Sequence, residues 1–279
     1  MMIINSKGQT SIAYLLGFMF LMLVVALIII SLRRDFFYNT NITLNQNSNS
    51  IHNLECFSKT YQTSPQNVVT FFQFLTDPKI SIIDSSKNQT NSQVNGKIEY
   101  LNNSNCLFGG CLYLTGNGQN IALSNIKINS SVGTFTTVEF YMDWKGFESE
   151  YPFTFDNNYG LYLNKGCFGF TTGKSDIYGI NSSILINNPV LVDAIFYNSN
   201  DSNFNNPIQN NLNLFLNGTK QSLVQCSGEI SNAQVSTNAT YGSSMFAENF
   251  FNGILGPIVI YNRELTSSEI SDDFYCKLP

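Results

Sequence analysis

The uncharged run from Ile12 to Leu32, which Arg33 and Arg34 close, constrains this chain more than any other segment. At 1.5 Å per residue it makes a helix about 31 Å long, the thickness of a bilayer's hydrocarbon core. Tyr14, Gly17 and Ser31 are its only interruptions, and no proline breaks it. The run is too long for the apolar region of a cleavable secretory signal, and no small-x-small cleavage site follows it. The residues that look like a processing site, Gly8 and Gln9, come before the run. Cleavage there would remove a short polar leader and keep the helix; without cleavage the segment is a plain signal anchor.

Lys7 on one side of the span and Arg33 with Arg34 on the other would place the C-terminal part in the cytoplasm by the positive-inside rule. The rest of the chain argues for the opposite side. It carries six cysteines and eight Asn-x-Ser/Thr acceptors, at Asn41, Asn88, Asn102, Asn129, Asn181, Asn200, Asn217 and Asn238. An even cysteine count with many glycan acceptors belongs to an oxidising exterior. The expected location is the cell surface, with the C-terminal part outside the membrane or in an extracellular filament.

Only 12% of residues are charged, against about 25% in ordinary soluble domains. With a net charge of −5 and no basic cluster beyond Arg33-Arg34, nucleic acid is excluded as a partner. The single histidine, His52, has no second histidine with which to build a zinc site or a His-based triad. The organisation expected is a leader over 1–8, a hydrophobic helix over 9–38, an Asn-rich tether or stalk over 39–60 and a folded domain over 61–279.

From Val68 onward, short apolar segments alternate with Gly, Asn, Ser and Asp turns, and no long 3.6-residue period appears. Strands are predicted over Val68–Leu75, Leu112–Thr115, Thr136–Trp144, Phe153–Phe155, Gly160–Leu163, Cys167–Thr171, Pro189–Tyr197, Asn211–Leu216 and Gly253–Tyr261. Within Thr136–Trp144, Val138, Phe140, Met142 and Trp144 share one face, while Glu139, Tyr141 and Asp143 share the other. That alternation predicts a strand with one buried and one solvated face. Many such strands imply an all-β domain of two packed antiparallel sheets.

Two resemblances add to this reading. Lys7-Gly8-Gln9, Ser11, Tyr14 and Leu15 resemble the class III prepilin signal of archaeal type IV pilin-like proteins, although Ala13 stands where that signal usually has Glu. The likeness implies cleavage between Gly8 and Gln9, and a mature helix that sits in the membrane or packs with other pilin subunits in a filament. Phe71–Phe74, Asp84-Ser85-Ser86-Lys87-Asn88, and Phe108-Gly109-Gly110-Cys111-Leu112-Tyr113-Leu114 are similar to the opening of LamG-like domains. Leu214-Phe215-Leu216-Asn217-Gly218 looks like that family's hairpin strand, and Ile260-Tyr261-Asn262-Arg263-Glu264-Leu265-Thr266 running to Glu269-Ile270 looks like its close. From Val68 to Tyr275 the chain thus resembles a LamG-like, concanavalin A-like jelly roll. The closing segment also has a local logic: Gly253 and Gly256 permit a bulge or close backbone approach, and Thr266 with Glu269 forms a capping box.

The resemblance implies adhesion to glycans or to surface proteins, sometimes through calcium. Asp156-Asn157-Asn158-Tyr159 and Asn198–Asn206, with Asp201, offer suitable oxygens without the spacing of a dedicated calcium loop; no other cofactor is expected. Tyr151, Tyr159 and Trp144 are candidates to stack on sugar rings. Catalysis is not expected. Glu139 and Asp143, on one face of a strand, would stand about 13 Å apart, beyond the roughly 5 to 9.5 Å of glycoside cleavage. Six cysteines permit 15 pairings. One scheme staples Cys106 to Cys111, joins Cys56 to Cys276 across the neighbouring ends of a jelly roll, and leaves Cys167 with Cys226.

Overall fold

In a computed structural model of the protein, the described residues are 67–74, 82–101, 106, 110–147, 149–164, 166–173, 176–200 and 208–277, with side chains in the last helix as far as 272. Among them, no helix is long and apolar enough to cross a membrane. The Ile12–Leu32 run, Gly8 and Gln9, the tether and His52 lie outside the described residues.

Among the described residues, sixteen strands form two antiparallel sheets. The first sheet runs β13(Thr219–Lys220), β12(Asn213–Leu216), β11(Val190–Tyr197), β6(Phe135–Trp144), β16(Asn252–Tyr261), β4(Cys111–Thr115) and β3(Glu99–Leu101), with β1(Val68–Phe72) on β16. The second runs β14(Val224–Ser227), β10(Ile177–Asn181), β9(Cys167–Thr171), β8(Gly160–Asn164), β7(Glu150–Phe155), β15(Ala239–Tyr241), β5(Asn120–Ser124) and β2(Asn91–Asn95). The one α-helix among the described residues, α1(Ser267–Lys277), follows the last strand. Each strand predicted from the sequence is present; β9 matches at both ends, and the others differ at one end or both.

Alternation explains the core. Val138, Phe140, Met142 and Trp144 of β6 point into one buried cluster with Leu161, Leu163, Phe168 and Phe170 of the facing sheet. Phe196 of β11 stands at its centre, edge-on to Phe155, Tyr159 and Phe170 with ring centroids 5.0–5.4 Å away. Each such buried ring contributes about 2–3 kcal/mol of transfer free energy, with up to about 1 kcal/mol more from edge-to-face geometry.

The opposite face of β6 corrects the sequence expectation. Glu139 is 1% exposed, Tyr141 5% and Asp143 8%, so this face is buried too. A second cluster lies on the outer side of the first sheet, where Phe71, Tyr141, Ile195, Phe215 and Val259 meet Leu265 and Ile270. The closing segment folds back over the sheet to make it. Thr266 caps α1 as expected: its N–H donates to Glu269 Oε2 at 2.8 Å, and Glu269 N–H donates to Thr266 Oγ1 at 3.3 Å.

The long strand β16 serves two neighbours along one edge. Asn252–Leu255 pair with β4, and Ile258–Tyr261 pair with β1, with a register shift against β6 between Leu255 and Ile258. Gly256 and Pro257 occupy that bulge. Pro257 has no N–H to lose from the ladder, and a Cβ on Gly256 would sit 2.8 Å from Tyr141 Cβ. Cys106–Cys111 and Cys167–Cys226 are disulfides, with Cα separations of 5.8 and 6.4 Å. Cys56 and the side chain of Cys276 lie outside the described residues.

Candidate functional site

Strand directions give the sandwich two rims. Trp144, ending β6, pairs with Gly253 near the start of β16, and Met142 pairs with Val190 at the start of β11. One rim therefore gathers the loops 116–119, 145–149, 182–189 and 242–251. The other gathers 125–134, 156–159, 198–200, 228–238 and 262–266. The chain enters β1 at this second rim, where Asn67 O accepts from Asn262 N.

At the first rim the two sheets are tied by a buried pair. The Trp144 indole N–H donates to Glu150 Oε2 at 2.9 Å, and both residues are under 5% exposed. Burial pushes the Glu150 carboxyl up to about 7, against the Asn252 backbone N–H and the Trp144 indole, which pull it down. Beside it, Lys145 Nζ meets Asp143 Oδ2 at 2.8 Å. Gly146, at φ +90°, then turns the loop against Ile186; a Cβ there would lie 3.2 Å from Ile186 Cγ2. The turn leaves apolar side chains in solvent. Phe147 is 56% exposed, Phe246 65%, Ile184 51% and Ile186 44%. Four of the seven exposed large hydrophobics among the described residues thus stand in loops of one rim. Large apolar groups left in water along one rim make it a candidate contact surface.

The second rim is built of hydrogen bonds. Asn198 is fully buried; its amide donates to Asn129 O at 3.1 Å and Thr134 Oγ1 at 2.8 Å, and its Oδ1 accepts from Val235 N at 2.7 Å. The Tyr159 hydroxyl donates to Tyr197 O at 3.0 Å and accepts from Tyr197 N at 3.2 Å. Asp156 Oδ2 accepts from Asn238 Nδ2 at 3.0 Å, and Asn157 Nδ2 donates to Gln234 O. Of the two carboxylates read from the sequence as calcium candidates, Asp156 is bonded to Asn238. Among the described residues, no group of three or more His, Cys, Asp or Glu is placed to hold a metal. Asp201 lies outside them.

Several sequence-predicted residues land elsewhere. Trp144, Tyr151 and Tyr159 are 3%, 8% and 0% exposed, so none offers a ring to a ligand. Trp144 and Tyr159 belong to the core, and Tyr151 stacks on Tyr162 at 4.3 Å on the outer side of the second sheet. Among the described residues the exposed rings are Phe147 and Phe246, which sequence reasoning passed over. Glu139 and Asp143 are not a solvated pair. Glu139 faces Asp193 across the β6–β11 ladder, and both are buried. Of the sequons, Asn129, Asn181, Asn200 and Asn238 are exposed and Asn88 and Asn217 half-buried, while Asn41 and Asn102 lie outside the described residues.

No protein-family model matches the sequence, and no curated protein matches it. Solved structures share its fold. The ligand-binding domain of botulinum neurotoxin serotype D, in complex with N-acetylneuraminic acid, aligns with TM-score 0.54 at 14% identity, covering 77% of this chain and 52% of that one. The binding domain of Paraclostridial mosquitocidal protein 1 aligns with TM-score 0.52 at 17% identity, over 75% and 52%. Domain 4 of a GH43 extracellular arabinanase from Geobacillus stearothermophilus, in complex with arabinotriose, aligns with TM-score 0.51 at 16% identity, over 74% and 98%. The chain spans about half the length of the toxin domains it matches. At these identities the likeness establishes the fold: a two-sheet antiparallel sandwich shared with binding domains.

Proposed function

We propose that this protein is a pilin-like surface protein whose N-terminal helix anchors it in a membrane or filament and whose LamG-like jelly roll adheres to glycans. The observation that carries the reading is the set of exposed apolar side chains at the first rim, Phe147, Phe246, Ile184 and Ile186. A sugar ring carries one face of C–H groups, which packs on an aromatic ring, and hydroxyls at its edge, which neighbouring amides satisfy. Two of the shared-fold domains were solved with sugars, N-acetylneuraminic acid and arabinotriose. Binding without turnover accords with the burial of Glu139 and Asp193 and with Asp143's ion pair to Lys145. Many weak copies on a surface bind collectively through effective concentration.

Ala13, in place of the Glu usual in pilin signals, favours one specific variant of the reading: a singly anchored, lectin-like protein outside any filament. Intact-mass measurement of native protein is expected to find Gln9 at the N-terminus; retained Met1 would remove the pilin-like reading and leave the plain anchor. Full-length protein in detergent, applied to glycan arrays, is expected to bind a restricted set of sugars. Phe147→Ala with Phe246→Ala should weaken that binding at least about tenfold, the equivalent of 1.4 kcal/mol. Equal binding by the double variant would move the site off this rim. Polysaccharide hydrolysis abolished by Glu139→Gln would overturn the non-enzymatic part.

A further inference from the structure

The eight Asn-x-Ser/Thr acceptors are alike in sequence but not in the fold, and the differences bear on which of them can carry a sugar. At Asn129 and Asn181 the side chain is exposed, and its Oδ1 accepts from the backbone N–H two residues on, Ser131 at 3.0 Å and Ser183 at 2.9 Å. That bond consumes the carbonyl oxygen and turns the amide nitrogen outward. No described residue accepts a hydrogen bond from either Nδ2, and Ser131 and Ser183 are themselves exposed.

Asn88 presents the reverse arrangement. Its Nδ2 donates inward to Val68 O at 2.8 Å. The hydroxyl of its sequon, on Thr90, is 4% exposed and bonded to Thr70 Oγ1 at 2.7 Å and Val69 O at 3.2 Å. Asn217 sits half-buried in the β12–β13 turn at φ +50°, with Oδ1 accepting from Leu191 N at 2.8 Å. Asn88 commits its amide nitrogen to the backbone, whereas Asn217, whose Oδ1 is bonded as at Asn129 and Asn181, is set apart by its half-buried place in a two-residue hairpin turn.

We infer that Asn129 and Asn181 are N-glycosylation sites, and that Asn88 and Asn217 are structural asparagines that remain bare. The inference rests on the extracellular placement proposed above. The co-reactant is a lipid-linked sugar phosphate. The amide nitrogen of Asn129 or Asn181 bonds to the sugar's anomeric carbon, the anomeric C–O bond to phosphate breaks, the lipid phosphate leaves, and the amide gives up one proton. The amide that remains keeps its Oδ1 bond to the serine N–H, so the turn survives the modification.

Glycopeptide mass spectrometry of the full chain, isolated from its native membranes, tests this. Peptides holding Asn129 and Asn181 are expected to carry sugar mass increments on most copies, and those holding Asn88 and Asn217 none. Asn129→Gln and Asn181→Gln should each remove one step of gel mobility, and Asn88→Gln none. Bare peptides at Asn129 and Asn181, or sugar on Asn88 or Asn217, would overturn the inference. Labelling intact cells with a membrane-impermeant amine reagent, which the exposed Lys127 can take up, separates the two readings. A labelled domain with bare sequons refutes this inference alone, whereas an unlabelled domain with bare sequons refutes the surface placement as well.

Discussion

The two rims of this sandwich differ in what they leave in water. At the second rim, amides and hydroxyls close the loops: Asn198 bonds Asn129 O, Thr134 Oγ1 and Val235 N. The first has its own polar ties, Trp144 to Glu150, Gln119 to Lys97 O and Asn120 to Ser243, but they lie behind a loop whose next aromatic, Phe147, faces water. One end uses its polar side chains for stability. The other leaves large apolar groups unburied, a desolvation opportunity that folding does not take and a ligand can. Hydrogen-bonded loops at one end and exposed apolar side chains at the other make the first rim the candidate contact surface.

The largest effect should come from Asn198→Ala. It strands the buried Val235 N–H, at about 1–3 kcal/mol, and removes one hydrogen bond each from Asn129 O, which keeps the Thr134 hydroxyl, and from Thr134 Oγ1, at about 0.5–1.5 kcal/mol apiece. The variant should lose about 3–4 kcal/mol in chemical denaturation, while Phe147→Ala and Phe246→Ala each stay within about 0.5 kcal/mol of the parent. A cost at Phe147 equal to that at Asn198 would erase the contrast between the rims.

Much of the core was legible in the sequence, while little of either rim was beyond the Thr266–Glu269 cap. The alternation of Val138, Phe140, Met142 and Trp144 identified β6 and its inward face, because packing between two sheets imposes that period. The strands that escaped notice are short or polar: β2 reads Asn-Ser-Gln-Val-Asn at a sheet edge, and β14 reads Val-Gln-Cys-Ser at the other. Their ladder bonds come from partners distant in sequence, which local propensity does not register. The outward face of β6 was read as solvated because alternation says only that two faces differ. That α1 and its approach fold back over the sheet is a tertiary fact. Aromatic residues in strands, Tyr151 and Trp144, drew attention as sugar-stacking candidates, yet a strand aromatic is where a core needs one. The informative signal was an aromatic between strands. Phe147, in Lys145-Gly146-Phe147, has no core face to fill. The Glu139–Asp193 pairing depends on register between strands some fifty residues apart, which no single-strand pattern encodes.

The next effect in size concerns Glu150. Its carboxyl titrates at about 7 in the folded protein, above the 4.5 of an ordinary glutamate, chiefly through burial. The folded state therefore holds a proton that the unfolded chain releases, and stability present below pH 4.5 is lost as pH rises toward 7. The ceiling on that loss is about 3 kcal/mol. Glu150→Gln keeps an oxygen for the Trp144 indole and removes the titration, so its denaturation midpoint should be flat across this window where the parent's falls. A parent midpoint that rises from pH 5 to 7 would contradict the buried, protonated carboxyl.

The second rim carries a carboxylate with the opposite response and a smaller one. Arg263 holds Glu269 in a paired contact, Nη2 to Oε1 at 2.7 Å and Nη1 to Oε2 at 2.9 Å, and with Thr266's N–H and hydroxyl this lowers the carboxyl to about 2. Here the folded state binds its proton less readily than the unfolded chain, so the stability it adds is present above pH 4.5 and disappears as pH falls toward 2. The Glu269 side chain is 39% exposed, so solvent screens the pair, and its share should be near 1 kcal/mol or less. Glu269→Gln can keep the cap acceptor for Thr266 but loses the charge facing Arg263. It should leave stability at pH 7 lower by that small amount and reduce the acid-limb slope below pH 4.5, with no change between pH 5 and 7. The two variants thus act on separate limbs of one pH–stability curve, Glu150→Gln on the neutral side and Glu269→Gln on the acid side. A double variant whose effects simply add would establish that the rims titrate independently, as groups without shared partners should; coupling above about 0.5 kcal/mol would mean that the sandwich transmits strain from one end to the other.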